Sequence, residues 1–415
     1  MSGIPERRRI AAALLAALAL VAGVAGIVVG ASRDGGDDGS GGPVPEPGRG
    51  GPREQVSFLA RIVPPPAESD APAGPEVPRS VADLARRLPL ERKVAQLFLF
   101  GFEGTDAGAE IFGRLRRLDL GGVVLAAPNY IDPAQLGALA GELAATARAR
   151  RHVPPLVLAI QEGGDLNSFP GLPPSAAPAD LASAREARAQ AVETGRTLRE
   201  LGVNGVLGPV VDVGLESGSA LGARVYSDQP DQVAGFAEAS VRAYRRTRLF
   251  GAAAHFPGLG GADQSTEEGP ATVGLDLPEL RDRDLVPFAA AIDAGVPGIT
   301  LSHALYPMSD FTVPASLSPE VVTRLLRNEL GFEGVALTDD LADPSITRLS
   351  SVADAAVRAL RAGADLLFVS GPTADQQAAY VAVLQAVRSG RVPRERLDEA
   401  VARILVAKKN YALIR

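Results

Sequence analysis

Only three histidines occur in this 415-residue chain, His152, His255 and His303, and the last two stand at the ends of short apolar runs. Carboxylates stand at the same kind of position. Glu162 and Asp165 follow the run ending at Ile160, Asp212 follows Val210-Val211, and Asp339-Asp340 follow Leu337-Thr338. Imidazoles and carboxylates exchange protons and bind polar ligands, so such a set is suited to acid–base chemistry if the fold gathers it. Each residue also has a plainer reading. Asp339 or Asp340 suits a helix cap, and His255 a core histidine ahead of an ordinary Phe256-Pro257-Gly258 turn. Glu162-Gly163-Gly164 suits a tight turn, and Arg224 half of a surface ion pair.

The elements that would position these groups alternate. Apolar runs at 95–102, 122–126, 155–160, 206–211, 251–256, 298–301, 334–337 and 365–369 are separated by helix-compatible segments such as 183–201, 232–246, 280–294 and 319–330. Near-continuous apolar strands separated by helices predict a parallel sheet covered on both faces. Eight repeats predict an α/β fold of the (β/α)8, TIM-barrel type, with the polar residues gathered at the C-terminal strand ends. A doubly wound open sheet is the alternative, but no G-x-G-x-x-G follows the first strand. Order is expected to begin near Ser80, where Ser80-Val-Ala-Asp83 reads as a capping box.

The first 79 residues are of another kind. Arg7-Arg8-Arg9 precedes the uncharged run 10–31, long enough to cross a bilayer, which takes roughly 20 residues. Residues 1–31 are expected to be a signal-anchor or a signal peptide, with the arginines cytoplasmic and the remainder outside. Residues 32–79, rich in Gly and Pro, read as a disordered linker to a domain at 80–415. The expected membrane contact is that helix only. A formal net charge of −7 gives no reason to expect a nucleic-acid partner. The absence of cysteine excludes disulfides and thiolate chemistry.

In order along residues 84–413, the motifs resemble glycoside hydrolase family 3, in particular its β-N-acetylhexosaminidase branch. Gln161-Glu-Gly-Gly resembles its D-Q-E-G-G-R motif, Gly208-Pro-Val-Val-Asp-Val213 its A-P-V-x-D-V, and His255-Phe-Pro-Gly258 its K-H-F-P-G-H-G. Gly222-Ala-Arg224, Arg283-Asp-Leu-Val-Pro-Phe288, Ser302-His303, Thr338-Asp-Asp-Leu341 and Ala362-Gly-Ala-Asp365 follow in sequence. The resemblance implies retaining hydrolysis of β-linked N-acetylhexosamine or a related cell-wall sugar through a covalent intermediate on Asp339. It implies a carbohydrate ligand held by Arg224, His255, Glu162 and His303, and neither cofactor nor metal.

The chain departs from the family pattern where proton transfer is expected. The lysine becomes Ala254, the second histidine Leu259, and the D-S-H triplet Ser265-Thr266-Glu267. Upstream, a sugar-binding aspartate becomes Ile160 and an arginine Asp165. Each lost charge-assisted contact removes about 1.5–3 kcal/mol, and a lost acid/base about 10²–10⁴ in rate. Glu267 stands where the histidine would be and is the expected substitute. The alternative is a catalytically impaired relative that binds a glycan or a partner at the cell envelope.

Overall fold

The computed structural model describes residues 77–414 except Ser217. The expected membrane segment 1–31 and all but the last three residues of the expected linker lie outside the described residues. Among the described residues, no helix is long and apolar enough to cross a membrane.

Eight strands make one parallel sheet: β1 (Phe98–Gly101), β2 (Gly122–Leu125), β3 (Leu156–Ala159), β4 (Gly205–Val206), β5 (Phe250–Phe256), β6 (Gly298–Leu301), β7 (Val335–Thr338) and β8 (Leu367–Val369). Neighbours in the chain are neighbours in the sheet, and β8 returns to pair with β1, Phe98 opposite Leu367. The remaining seam lies between β7 and the chain entering β8. A bridge from Leu337 to Leu366 spans it, and the Thr338 hydroxyl accepts the Phe368 N–H at 3.0 Å. The result is a barrel of the (β/α)8 kind. Every strand residue is buried, which is why the strands read as unbroken apolar runs.

The intervening helices follow from local signals. In Pro133–Ala149, Asp132 caps the first turn by accepting the Gln135 N–H at 2.8 Å, and Pro133 stands where no N–H is needed. Its buried residues, Leu136, Leu139, Ala140, Leu143 and Ala147, recur at three and four, the spacing of one helix face.

Three expectations change. The helix Arg79–Arg87 starts at Pro78 with no side-chain cap, so Ser80-Asp83 is not a capping box; Ser80 lies inside the helix and accepts from Lys409. The fourth strand stops at Val206, because Pro209 has no N–H to continue a ladder; pairing resumes only as a bridge from Val210 to Ala254. The segment 280–294 opens with π-helical turns, Leu280–Asp284, ahead of Pro287, which cannot donate to the carbonyl four residues back.

Two buried ionic centres lie away from the C-terminal strand ends. Asp365, fully buried just before β8, accepts from Arg327 and Arg396 at 2.6 Å each and from Arg403 at 3.3 Å. Lys408, equally buried, donates to the Gln96 side chain at 2.8 Å, and burial pushes its ammonium down to about 7. An unfolded lysine titrates near 10.4, so between those values the unfolded chain binds more protons and stability rises with pH. Relative to Lys408→Met, the native protein is expected to gain up to about 1.4 kcal/mol per pH unit above neutrality. Urea titrations of both proteins from pH 7 to 10 check this; a difference that stays constant with pH contradicts it.

Candidate active site

The C-terminal ends of the strands surround a cavity of about 1020 Å3. Glu162, Arg224, His255, Glu267 and Asp339 all line it, together with Asp340 and Asp343.

On the β3 side, Gln161 braces the loop that follows. Its side-chain amide donates to Pro173 O at 3.1 Å, and its carbonyl accepts the Phe169 N–H at 3.1 Å. The next turn requires glycine: Gly163 has φ of 121°, and a Cβ there would lie 2.1 Å from Ala176 O. This loop presents Glu162 to Arg224, which binds it through both arms of the guanidinium at 2.7 and 2.8 Å. Burial works against the Arg224 charge, but Glu162 outweighs it and raises the guanidinium further above its ordinary value. Arg224 also reaches Glu267, at 3.4 Å. That carboxylate is 68% exposed, so the contact is worth little by itself.

On the β4–β5 side, Asp212 is fully buried and collects three donors. It accepts the Leu259 N–H at 2.7 Å, the His255 N–H at 3.1 Å and the His255 Nδ1–H at 2.8 Å. The pairing of β5 with β6 shifts register between Ala253 and Phe256, a bulge of the kind that re-aims side chains beside functional sites. The other face of the imidazole, Nε2, then stands 3.8 Å from Asp339 Oδ2. Burial alone would push His255 down, but Asp212 and then Asp339 hold it above the usual histidine value. In the turn after β5, Gly258 has φ of 129°, and a Cβ would come within 2.5 Å of Asp284. Arg283 in turn donates to Asp284 and to Val213 O, both at 2.9 Å, so the 283–288 motif clamps this turn from outside.

Asp339 follows β7. Its Oδ1 accepts the N–H of Asp340, which leaves Oδ2 toward His255. Asp340 is turned across the seam, accepting from Ala342 N at 3.0 Å and Ser370 N at 2.9 Å. Neither aspartate caps a helix, so the plainer reading of this pair does not hold.

His303 is a correction. Expected to contact a ligand, it is 1% exposed and does not line the cavity. Its Nε2–H donates to Asp340 O at 3.0 Å and its Nδ1 accepts from Ser316 Oγ at 2.7 Å. Burial pushes its pKa down, consistent with a neutral ring. It holds the β7 loop from behind.

Asp343 is a carboxyl beside Asp339 in the cavity that the sequence did not single out. It follows Asp339 by four positions and precedes Pro344, a pattern that signals a helix cap. It does stand at the N-cap of the short helix Pro344–Thr347, yet its side chain makes no cap hydrogen bond. Two walls of the cavity, Ile160 and Ala254, are apolar. Among the described residues, no group of three or more His, Asp or Glu is placed to hold a metal ion.

Comparison with known proteins agrees with this architecture. The family model described as the glycosyl hydrolase family 3 N terminal domain matches residues 89–407. A β-hexosaminidase of Nitrosomonas eutropha is 32% identical over 260 residues, 60% of this chain and 73% of that protein. Among solved structures, a glycoside hydrolase family 3 β-N-acetylglucosaminidase from a Paenibacillus species superposes with a TM-score of 0.75 at 34% identity. That match covers 79% of this chain but only 63% of the Paenibacillus chain. The β-N-acetylhexosaminidase of Beutenbergia cavernae, with a TM-score of 0.70 and 31% identity, is matched over 99% of its own chain and 78% of this one.

Proposed function

The chain belongs to glycosyl hydrolase family 3 and is β-hexosaminidase-like, and from that premise we propose that it cleaves β-linked N-acetylhexosaminides with retention, using Asp339 as nucleophile. The observation that carries this reading is the Asp212–His255–Asp339 arrangement. A buried carboxylate fixes the imidazole, and the imidazole faces the free oxygen of Asp339 at 3.8 Å inside a cavity large enough for a sugar. In a retaining mechanism an aspartate carboxylate attacks the anomeric carbon directly. Arg224, locked by Glu162, faces the same cavity as a ready hydrogen-bond donor.

Glu267, on the rim beside Arg224, is the proposed proton acceptor for the incoming water. Glu267→Gln is expected to reduce turnover of aryl β-N-acetylglucosaminides by about 10²-fold, the lower end of an acid–base contribution. Unchanged turnover would remove it from the mechanism. The uncharged run 10–31 behind three arginines supports an activity placed outside the cytoplasm, on cell-wall sugars.

A second reading has a specific observation in its favour. Ile160 and Ala254 give the cavity apolar walls where the family pattern has charged groups, which suits a protein that holds a glycan or a partner without turning it over. Glycan binding by the native protein, together with no release of product across a panel of aryl glycosides, would establish that reading.

A further inference from the structure

A carboxyl inside the cavity remains outside this scheme. Asp343 occupies an N-cap position, where an aspartate ordinarily accepts N–H groups of the first helical turn. It forgoes that bond and lines the cavity instead. No other hydrogen bond to its carboxyl occurs among the described residues. The carboxylates of Asp339, Asp340 and Glu267 act on it as like charges, and the Arg224 guanidinium acts against them.

From this placement we infer that Asp343 is the residue that protonates the leaving oxygen, in place of the histidine dyad that the loop after β5 lacks. The inference rests on the hydrolase reading above. Burial, followed by repulsion from Asp339, Asp340 and Glu267, pushes the Asp343 carboxyl up to about 9. The physical cause is that like charges in one partly dry space cannot all ionise, so one carboxyl keeps its proton. In the first step Asp339 forms its bond to the anomeric carbon and the glycosidic C–O bond breaks. The Asp343 proton goes to the departing oxygen and leaves Asp343 as a carboxylate. In the second step water attacks the anomeric carbon, the bond to Asp339 breaks, Glu267 takes the water proton, and solvent exchange returns one proton from Glu267 to Asp343. The proton count closes over the cycle.

The leaving group tests the assignment. A dinitrophenyl N-acetylglucosaminide departs without a proton, whereas an alkyl N-acetylglucosaminide needs one. With D343N, hydrolysis of the alkyl glycoside is expected to fall about 10²–10⁴-fold, while dinitrophenyl release stays within a few-fold of native. Equal behaviour of D343N and native protein on both substrates overturns the assignment and leaves the hydrolase reading intact. So does a loss confined to the alkyl glycoside in Glu267→Gln instead. If the native protein cleaves neither substrate, the hydrolase reading fails and the assignment falls with it. A readout independent of turnover is infrared difference spectroscopy at neutral pH. It is expected to show a protonated-carboxyl band in native protein that D343N removes, and a spectrum without that band also overturns the proposal. The Asp343 side chain caps nothing, and a carboxyl pushed up to about 9 by the fold costs stability at neutral pH relative to the unfolded chain, so D343N is expected to unfold no lower in temperature than native protein.

Discussion

Asp339→Asn is expected to abolish hydrolysis while leaving the barrel intact. The asparagine amide matches the carboxylate in shape and can still accept the Asp340 N–H at Oδ1. It cannot attack an oxocarbenium-like centre, so no covalent sugar ester forms. The loss is expected on the order of 10⁴–10⁶-fold, the scale on which nucleophile and base units are lost in other hydrolases. Ligand affinity should change far less. A fluorinated glycoside that traps the ester is expected to add its mass to the peptide carrying Asp339 in native protein and to none in the variant. The substitution also removes one of the charges that raise His255, so that histidine should titrate lower than in native protein. Normal turnover by D339N would place the chemistry elsewhere.

The second large effect concerns stability. Asp365→Ala is expected to destabilise the barrel by about 3–5 kcal/mol, the cost of leaving a buried charge unpaired. Here three guanidiniums, those of Arg327, Arg396 and Arg403, lose one shared carboxylate, and the Ala336 N–H loses its side-chain acceptor at 3.0 Å. Burial pushes the Asp365 carboxyl up, but the three arginines outweigh it and hold it below the ordinary aspartate value. A depressed carboxylate contributes stability that is fully present above the unfolded value, near 3.9, and is lost as pH falls through the folded value. Native protein should therefore lose its advantage over Asp365→Ala only on the acid side of about pH 4. Urea unfolding at pH 7 and in mildly to strongly acid buffers measures both parts. A midpoint shift of only a few tenths of molar urea at pH 7 would show that the cluster is not a stabilising centre. The site lies at the far ends of the strands, so the two variants separate chemistry from folding.

Much of the scaffold was legible in the chain. Strand β6 falls where its apolar run predicts, β2, β3, β5 and β7 within a residue or two, and Glu162, His255 and Asp339 at the ends of β3, β5 and β7 line the mouth, whereas His303 after β6 lies behind it. Buried parallel strands are set by continuous local apolarity, and eight of them with intervening helices leave few ways to close. Where the reading failed, a competing local rule had prevailed. Pro209 cut β4 short, and Pro78 took the helix start that Ser80 offered.

The partnerships within the site were not legible in this way. Glu162 and Arg224 stand 62 residues apart, and Asp212 and His255 stand 43 apart. Sequence alone determined which residue types were present, which strand ends carried them, and that the lysine and histidine dyad of the related loop were missing. Only the tertiary structure decided that Glu162 occupies Arg224, that His303 faces backwards onto Asp340, and that Asp343 turns from its helix into the cavity. The reason is physical. Apolar periodicity acts between near neighbours and survives in the sequence, whereas the direction of a polar side chain depends on which charges and donors the closed barrel brings within about 3 Å of it.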